Sequence, residues 1–103
     1  TISCNDRIII EDDVLVGWNV EILDSDNHEI VHRKKEKASG QGSIFIGNHV
    51  WLSAYTHILK NSSIPDGSVV AYHSVVMKRF EGEKLLIGGY PAKIISDCVE
   101  WKR

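Results

Sequence analysis

Residues 46–80 read IGNHVWLSAYTHILKNSSIPDGSVVAYHSVVMKRF. Every sixth residue from the first is aliphatic: Ile46, Leu52, Ile58, Ile64, Val70 and Val76. Four places after each stand Val50, Thr56, Ser62, Ser68, Ser74 and Phe80. A period of six matches neither the 3.6 of a helix nor the two of a single strand. It matches a parallel β-helix, in which three short strands close one turn of a triangular prism. The aliphatic side chain points to the prism axis, and the residue four places on fits a tight corner. Since three hexapeptides make a coil, Ile46 is expected to stack on Ile64, Leu52 on Val70, and Ile58 on Val76.

The same register runs upstream through Cys4, Ile10, Val16 and Ile22. From Ile22 to Ile46 is four hexapeptides, so the repeat stops and restarts in phase. All ten inward positions are apolar. With 43% apolar residues overall, chance would give this on the order of once in several thousand trials in a fixed register. The fold expected is all-β, a parallel β-helix of hexapeptide repeats in one domain over residues 1–103. Its coils lie at about 4–25 and 46–81, a loop is extruded at about 25–43, and a turn and tail occupy 82–103. Asn5-Asp6, Glu11-Asp12-Asp13 and Gly17-Trp18-Asn19 fall at corners, which favour Gly, Asn and Asp. Trp18 is expected on an outer face.

The chain has 103 residues and a net charge of −2, from 12 basic and 14 acidic side chains. That balance argues against nucleic acid as the main partner. No apolar run approaches the length that spans a bilayer, so membrane insertion is not expected. The chain opens in mid-pattern, which suggests a piece whose first coils are missing. The open ends of so short a stack make oligomerisation the natural remedy. Cys4 and Cys98, at opposite ends of the sequence, read as small buried hydrophobes, and the cytoplasm is the default compartment. The tail from Ile94 to Arg103 reads as a short helix or strand capping the open end.

The interruption, DSDNHEIVHRKKEKASGQGSIF over residues 24–45, has a charged middle and a glycine-rich return. Long loops inside compact domains are uncommon and often functional. This one begins with Asp24, Asp26 and His28.

Three segments together resemble the hexapeptide-repeat acyltransferases: Ile46-Gly47-Asn48-His49-Val50-Trp51-Leu52, Val75-Val76-Met77-Lys78, and Gly89-Tyr90-Pro91-Ala92-Lys93-Ile94-Ile95. The likeness is strongest to the galactoside, maltose and Nod-factor branch, with the sugar O-acetyltransferases of capsule and lipopolysaccharide synthesis. The Asp24–Ile30 segment resembles the His-bearing loop of that branch. The resemblance implies a left-handed β-helix, a homotrimer, and acetyl-CoA lying between neighbouring prisms. It also implies O-acetylation of a sugar or glycan hydroxyl, with no metal.

In that reading His28 is the general base, and Asp24, Asp26 and Glu29 are the local candidates to orient it, with Asp24 and Asp26 taken as supporting residues. A neutral imidazole can take a hydroxyl proton as the oxygen attacks a thioester carbonyl. His32 is the rival base. A backbone N–H at Ser53 or Ala54 is expected to receive the oxyanion, because a rigid coil amide is a pre-oriented donor. Trp51, Tyr72 and Met77 are expected beside the acetyl-CoA, and Lys78 and Lys93 near its phosphates. The sequence departs from the family at Ser53, usually Gly, and at Tyr72, usually small. No Ser or Cys sits in a nucleophile elbow, so transfer is expected to be direct in a ternary complex. Two other readings compete: a non-catalytic assembly module, and a zinc enzyme of the carbonic anhydrase type, for which His28 and His32 are only a partial ligand set.

Overall fold

The computed structural model describes residues 2, 3, 7–24 and 42–103. Cys4, Asp26, His28, His32 and nearly all of the expected extruded loop lie outside the described residues.

Each hexapeptide contributes one short strand, and the strands stack into three parallel faces. Face I holds β1 (Ile2–Ser3), β4 (Glu21–Leu23), β7 (His57–Ile58) and β10 (Val75–Val76). Face II holds β2 (Ile8–Ile10), β5 (Ile44–Ile46) and β8 (Ser63–Ile64). Face III holds β3 (Leu15–Val16), β6 (Trp51–Leu52), β9 (Val69–Val70) and β11 (Leu86–Gly89). The final strand, β12 (Ala92–Ser96), turns back antiparallel on the edge of β11. No helix occurs among the described residues.

The register is that of the six-residue period. Ile46 pairs with Ile64, Leu52 with Val70, and Ile58 with Val76, as the spacing requires. Across the interruption Ile10 pairs with Ile46, Val16 with Leu52, and Ile22 with Ile58. Those partners are two coil lengths apart in sequence, so the interruption adds one coil's worth of residues without shifting the phase. The first strand departs from it. Ile2 pairs with Ile22, so Ile2 and not Cys4 stands opposite that residue.

The axis is filled by Ile22, Ile46, Leu52, Ile58, Ile64, Val70, Val76 and Ile87, all fully buried. At the corners Thr56, Ser62, Ser68 and Ser74 are also buried, and each hydroxyl is used. Thr56 donates to the Ser53 carbonyl and Ser62 to the Val76 carbonyl, both at 3.0 Å. Ser68 and Ser74 accept the N–H groups of Leu85 and Gly89, both at 3.1 Å. A small side chain that can also serve a stranded backbone group is what such a corner selects.

The residue three places after seven of the inward positions adopts a left-handed backbone. Asp13, Asn19, His49, Tyr55, Asn61, Gly67 and His73 all have φ between +53° and +72°. Asp, Asn and Gly adopt this region readily, whereas for tyrosine it is uncommon. Gly17 serves a different need. A Cβ there would lie 2.7 Å from the Ala54 nitrogen on the next coil, so its hydrogen lets successive coils close up.

Two expectations are corrected here. Ile10 and Val16, read as buried like the other inward residues, are 38% and 45% exposed, because no described coil covers the first one. Cys98, read as a buried hydrophobe, is exposed and free. The last apolar strand forms as expected, but the tail beyond β12 has no regular structure and runs back along the corner between faces II and III.

Candidate active site

Among the described residues, those expected to serve acetyl transfer fall into two clusters, with Trp51 and Asp24 apart from both. Met77, Lys78 and Lys93 come together with Pro91 and Ala92 around a shallow, open depression at the β12 end. The antiparallel return of β12 on β11 delivers Lys93 there, while Met77 and Lys78 follow β10 directly. Its lining joins the apolar Met77, Pro91 and Ala92 to the basic Lys78 and Lys93. The Lys78 ammonium lies 5.0 Å from the centre of the Phe80 ring, a cation–π contact that fixes its direction.

Ser53, Ala54 and Tyr72 share the corner between faces III and I, one coil apart. The Ser53 N–H donates to the Val70 carbonyl at 3.0 Å, an ordinary bond of the inter-coil ladder. Gly17 packs against the peptide joining Ser53 to Ala54. Tyr72 is well exposed and meets His73 and Tyr55 edge-on, while Tyr55 and His73 stack with ring centres 5.2 Å apart. Trp18 projects from the same corner, 82% exposed, on an outer face as expected. This corner carries no Asp, Glu, Lys or Arg at residues 17–20, 53–56 or 71–74.

Trp51 stands on the outer side of β6, partly exposed, beside Trp101 of the tail with ring centres 6.1 Å apart. Asp24 is buried where the described chain breaks off at the corner between faces I and II. The positions of Asp26 and His28 lie outside the described residues. The groups therefore lie on successive parts of one prism and share no single pocket among the described residues.

A further constellation was not marked by the sequence. At the corner between faces II and III, His49 Nδ1 lies 2.5 Å from Asp13 Oδ2, and His49 Nε2 lies 2.9 Å from the Trp101 carbonyl. The imidazole stacks on the Trp101 indole with ring centres 3.9 Å apart and planes within 8°. The indole N–H donates to the His49 carbonyl at 2.8 Å, and Arg103 Nε donates to Asp13 Oδ1 at 2.8 Å. The Asp13 hydrogen bond, and after it that of the Trp101 carbonyl, raise the His49 pKa above its ordinary value. The same bond, followed by that from Arg103, lowers the Asp13 pKa. No periodicity joins residue 13 to residues 101 and 103, so only the tail's folded path could reveal this group. His57, outward on face I, lies 3.4 Å from a Glu21 oxygen. Among the described residues no three His, Cys, Asp or Glu side chains gather as a metal site.

The fold has close counterparts. The polysialic acid O-acetyltransferase OatWY superposes with a TM-score of 0.86 at 35% identity, covering 99% of this chain and 49% of that one. The chain is thus similar, over nearly its whole length, to a hexapeptide-repeat acetyltransferase. NeuO, a polySia-specific acetyltransferase, matches with a TM-score of 0.83 at 32% identity over 93% of this chain and 44% of that one. Among curated proteins, "Putative acetyltransferase YJL218W" of Saccharomyces cerevisiae is 28% identical over 94 residues, 91% of this chain and 47% of that protein. No protein-family profile matches the sequence. The chain thus spans about half the length of these hexapeptide-repeat relatives. The prism is left-handed, as in them, against the right-handed rule for ordinary parallel crossovers.

Proposed function

We propose that this chain carries the site of an acetyl-CoA-dependent O-acetyltransferase that acts on a sugar or glycan hydroxyl. The observation that supports it most is the likeness, over nearly the whole chain, to two enzymes described as acting on polysialic acid. The donor supplies an acetyl group activated as a thioester. His28 takes the proton of the acceptor hydroxyl as its oxygen bonds to the acetyl carbon. The carbon–sulfur bond then breaks, and His28 returns the proton to the leaving thiolate. No group of the chain is acylated in this scheme.

The rest of the chain positions the donor. Lys78 and Lys93 carry the two cationic groups lining the depression, and Met77, Pro91 and Ala92 supply its apolar surface. This pairing suits an anionic nucleotide with an apolar base. The Ser53 N–H is engaged in the ladder, so Ala54 is the better donor for the developing oxyanion, with Trp51 and Tyr72 on either side. Asp24, buried at the root of the His28 segment, and Asp26 orient the imidazole. The groups of one prism do not converge, which favours a homotrimer in which donor-binding and acceptor-binding surfaces come from neighbouring copies. The cytoplasm, where acetyl-CoA is at hand, is the compartment this reading implies.

The test is His28→Ala in the acetyltransferase assay, with oligosialic acid among the acceptors. We expect kcat to fall roughly 10²–10⁴-fold while acetyl-CoA affinity stays nearly constant. His32→Ala should cost far less. Retention of activity by both variants would refute the mechanism. A wild-type protein that consumes no thioester with any glycan would leave the prism as an assembly module.

A further inference from the structure

We propose that residues 97–103 form a strap, held along the outside of the prism by a His49 imidazolium, and that loss of the His49 proton releases the strap beside Trp51. The tail descends the corner between faces II and III from the last coil to the first. The Val99 N–H donates to the Lys84 carbonyl at 2.9 Å, Trp101 locks onto His49, and Arg103 reaches Asp13. One short segment therefore bridges the β11 end, the second coil and the first.

The protonation state follows from the partners. Nδ1 faces a carboxylate and Nε2 faces a carbonyl oxygen. Neither oxygen can donate, so both ring nitrogens must carry hydrogen, and only the imidazolium does. The cation also lies flat on the indole, the arrangement in which an aromatic face attracts positive charge. A neutral ring has one N–H. It would keep one acceptor and turn a lone pair toward the other.

The surrounding charges are consistent with this. On the first-coil corner, Glu11 and Asp12 immediately precede Asp13 in sequence. On the third-coil corner, Asp66 accepts the Asn48 N–H at 2.7 Å. From the tail come Lys102 and Arg103, of which Arg103 opposes the His49 charge while sharing Asp13. Farther along the strap Glu100 lies 3.9 Å from the Lys84 ammonium. Because the His49 pKa is raised in the fold, its contribution is complete below the ordinary histidine value and is lost as pH rises through the folded value. The Asp13 pKa is lowered, so its contribution is present above the ordinary carboxylate value and is lost only as pH falls through the folded one. The strap is closed between these limits and opens on the alkaline side first.

Trp101 is nearly buried between the His49 ring and Trp51. Opening the strap would uncover the outer side of face III at Trp51. The experiment is an NMR titration of the His49 ring, combined with hydrogen exchange at the Val99 amide and the Trp101 indole N–H. We expect a His49 pKa above 6.5, and loss of protection at both tail sites as pH passes through it, after correction for intrinsic exchange. Asp13→Asn should bring the His49 pKa down. His49→Asn, chosen because asparagine tolerates the left-handed corner, should abolish the pH dependence without unfolding the coils. Protection that does not vary with pH in the wild type would overturn the proposal. So would the same pH dependence in His49→Asn.

Discussion

The two ends of the prism are built from the same kind of residue and differ in how far the described residues cover them. At the β12 end Val70, Val76 and Ile87 are fully buried, and Phe80, Leu85 and Ala92 close over them. At the other end Ile2, Ile10 and Val16 are 58%, 38% and 45% exposed. Ile10 and Val16 occupy the hexapeptide position that buries Ile46 and Leu52 completely one coil further in. In a stacked fold, burial depends on having a neighbour above and below. The residue type and its register do not suffice.

This contrast is open to direct measurement by chemical denaturation. Ile58→Ala, in the middle of the stack, should lose about 2–5 kcal/mol, since neighbours on both sides hold the cavity open. Ser68→Ala tests the covered end by a polar route. It strands the Leu85 N–H that seats the last coil, and should cost about 1–3 kcal/mol. Val16→Ala is the smallest change, expected at less than about 1 kcal/mol, because much of the side chain already meets water. A Val16→Ala cost equal to that of Ile58→Ala would mean that the first coil is covered in solution, and the contrast between the ends would disappear.

The sequence made the prism legible because each coil repeats one steric problem. Leu52 and Val70 solve it identically, and the pairing of Trp51-Leu52 with Val69-Val70 follows from counting alone. Counting fails where no described coil lies alongside, as at Ile10 and Val16, and where the spacing slips, as at Ile2. The site was less legible. Motif resemblance brought Met77, Lys78 and Lys93 to one depression. The fold separates Trp51 from them, because a motif records order along the chain while a prism distributes that order over three faces. The engagement of the Ser53 N–H in the ladder is a fact of three-dimensional packing with no local signature. Nothing in the spacing marks His49 off from His57 or His73, and only its meeting with Asp13 and Trp101 sets it apart.

The path of the tail has a mechanical consequence. Ladder bonds such as Gly17 to Leu52 and Ser53 to Val70 each tie one coil to the next. Tension along the prism axis would therefore load the levels in series, and the weakest would yield first. The segment from Val99 to Arg103 is fastened at the β11 end, at the second coil and at the first. It acts as a tie rod in parallel with the stack, so a pull that parts two coils must also stretch or detach the rod. With the rod fastened, rupture should demand more force and come as one event; with it loose, the coils should peel one by one.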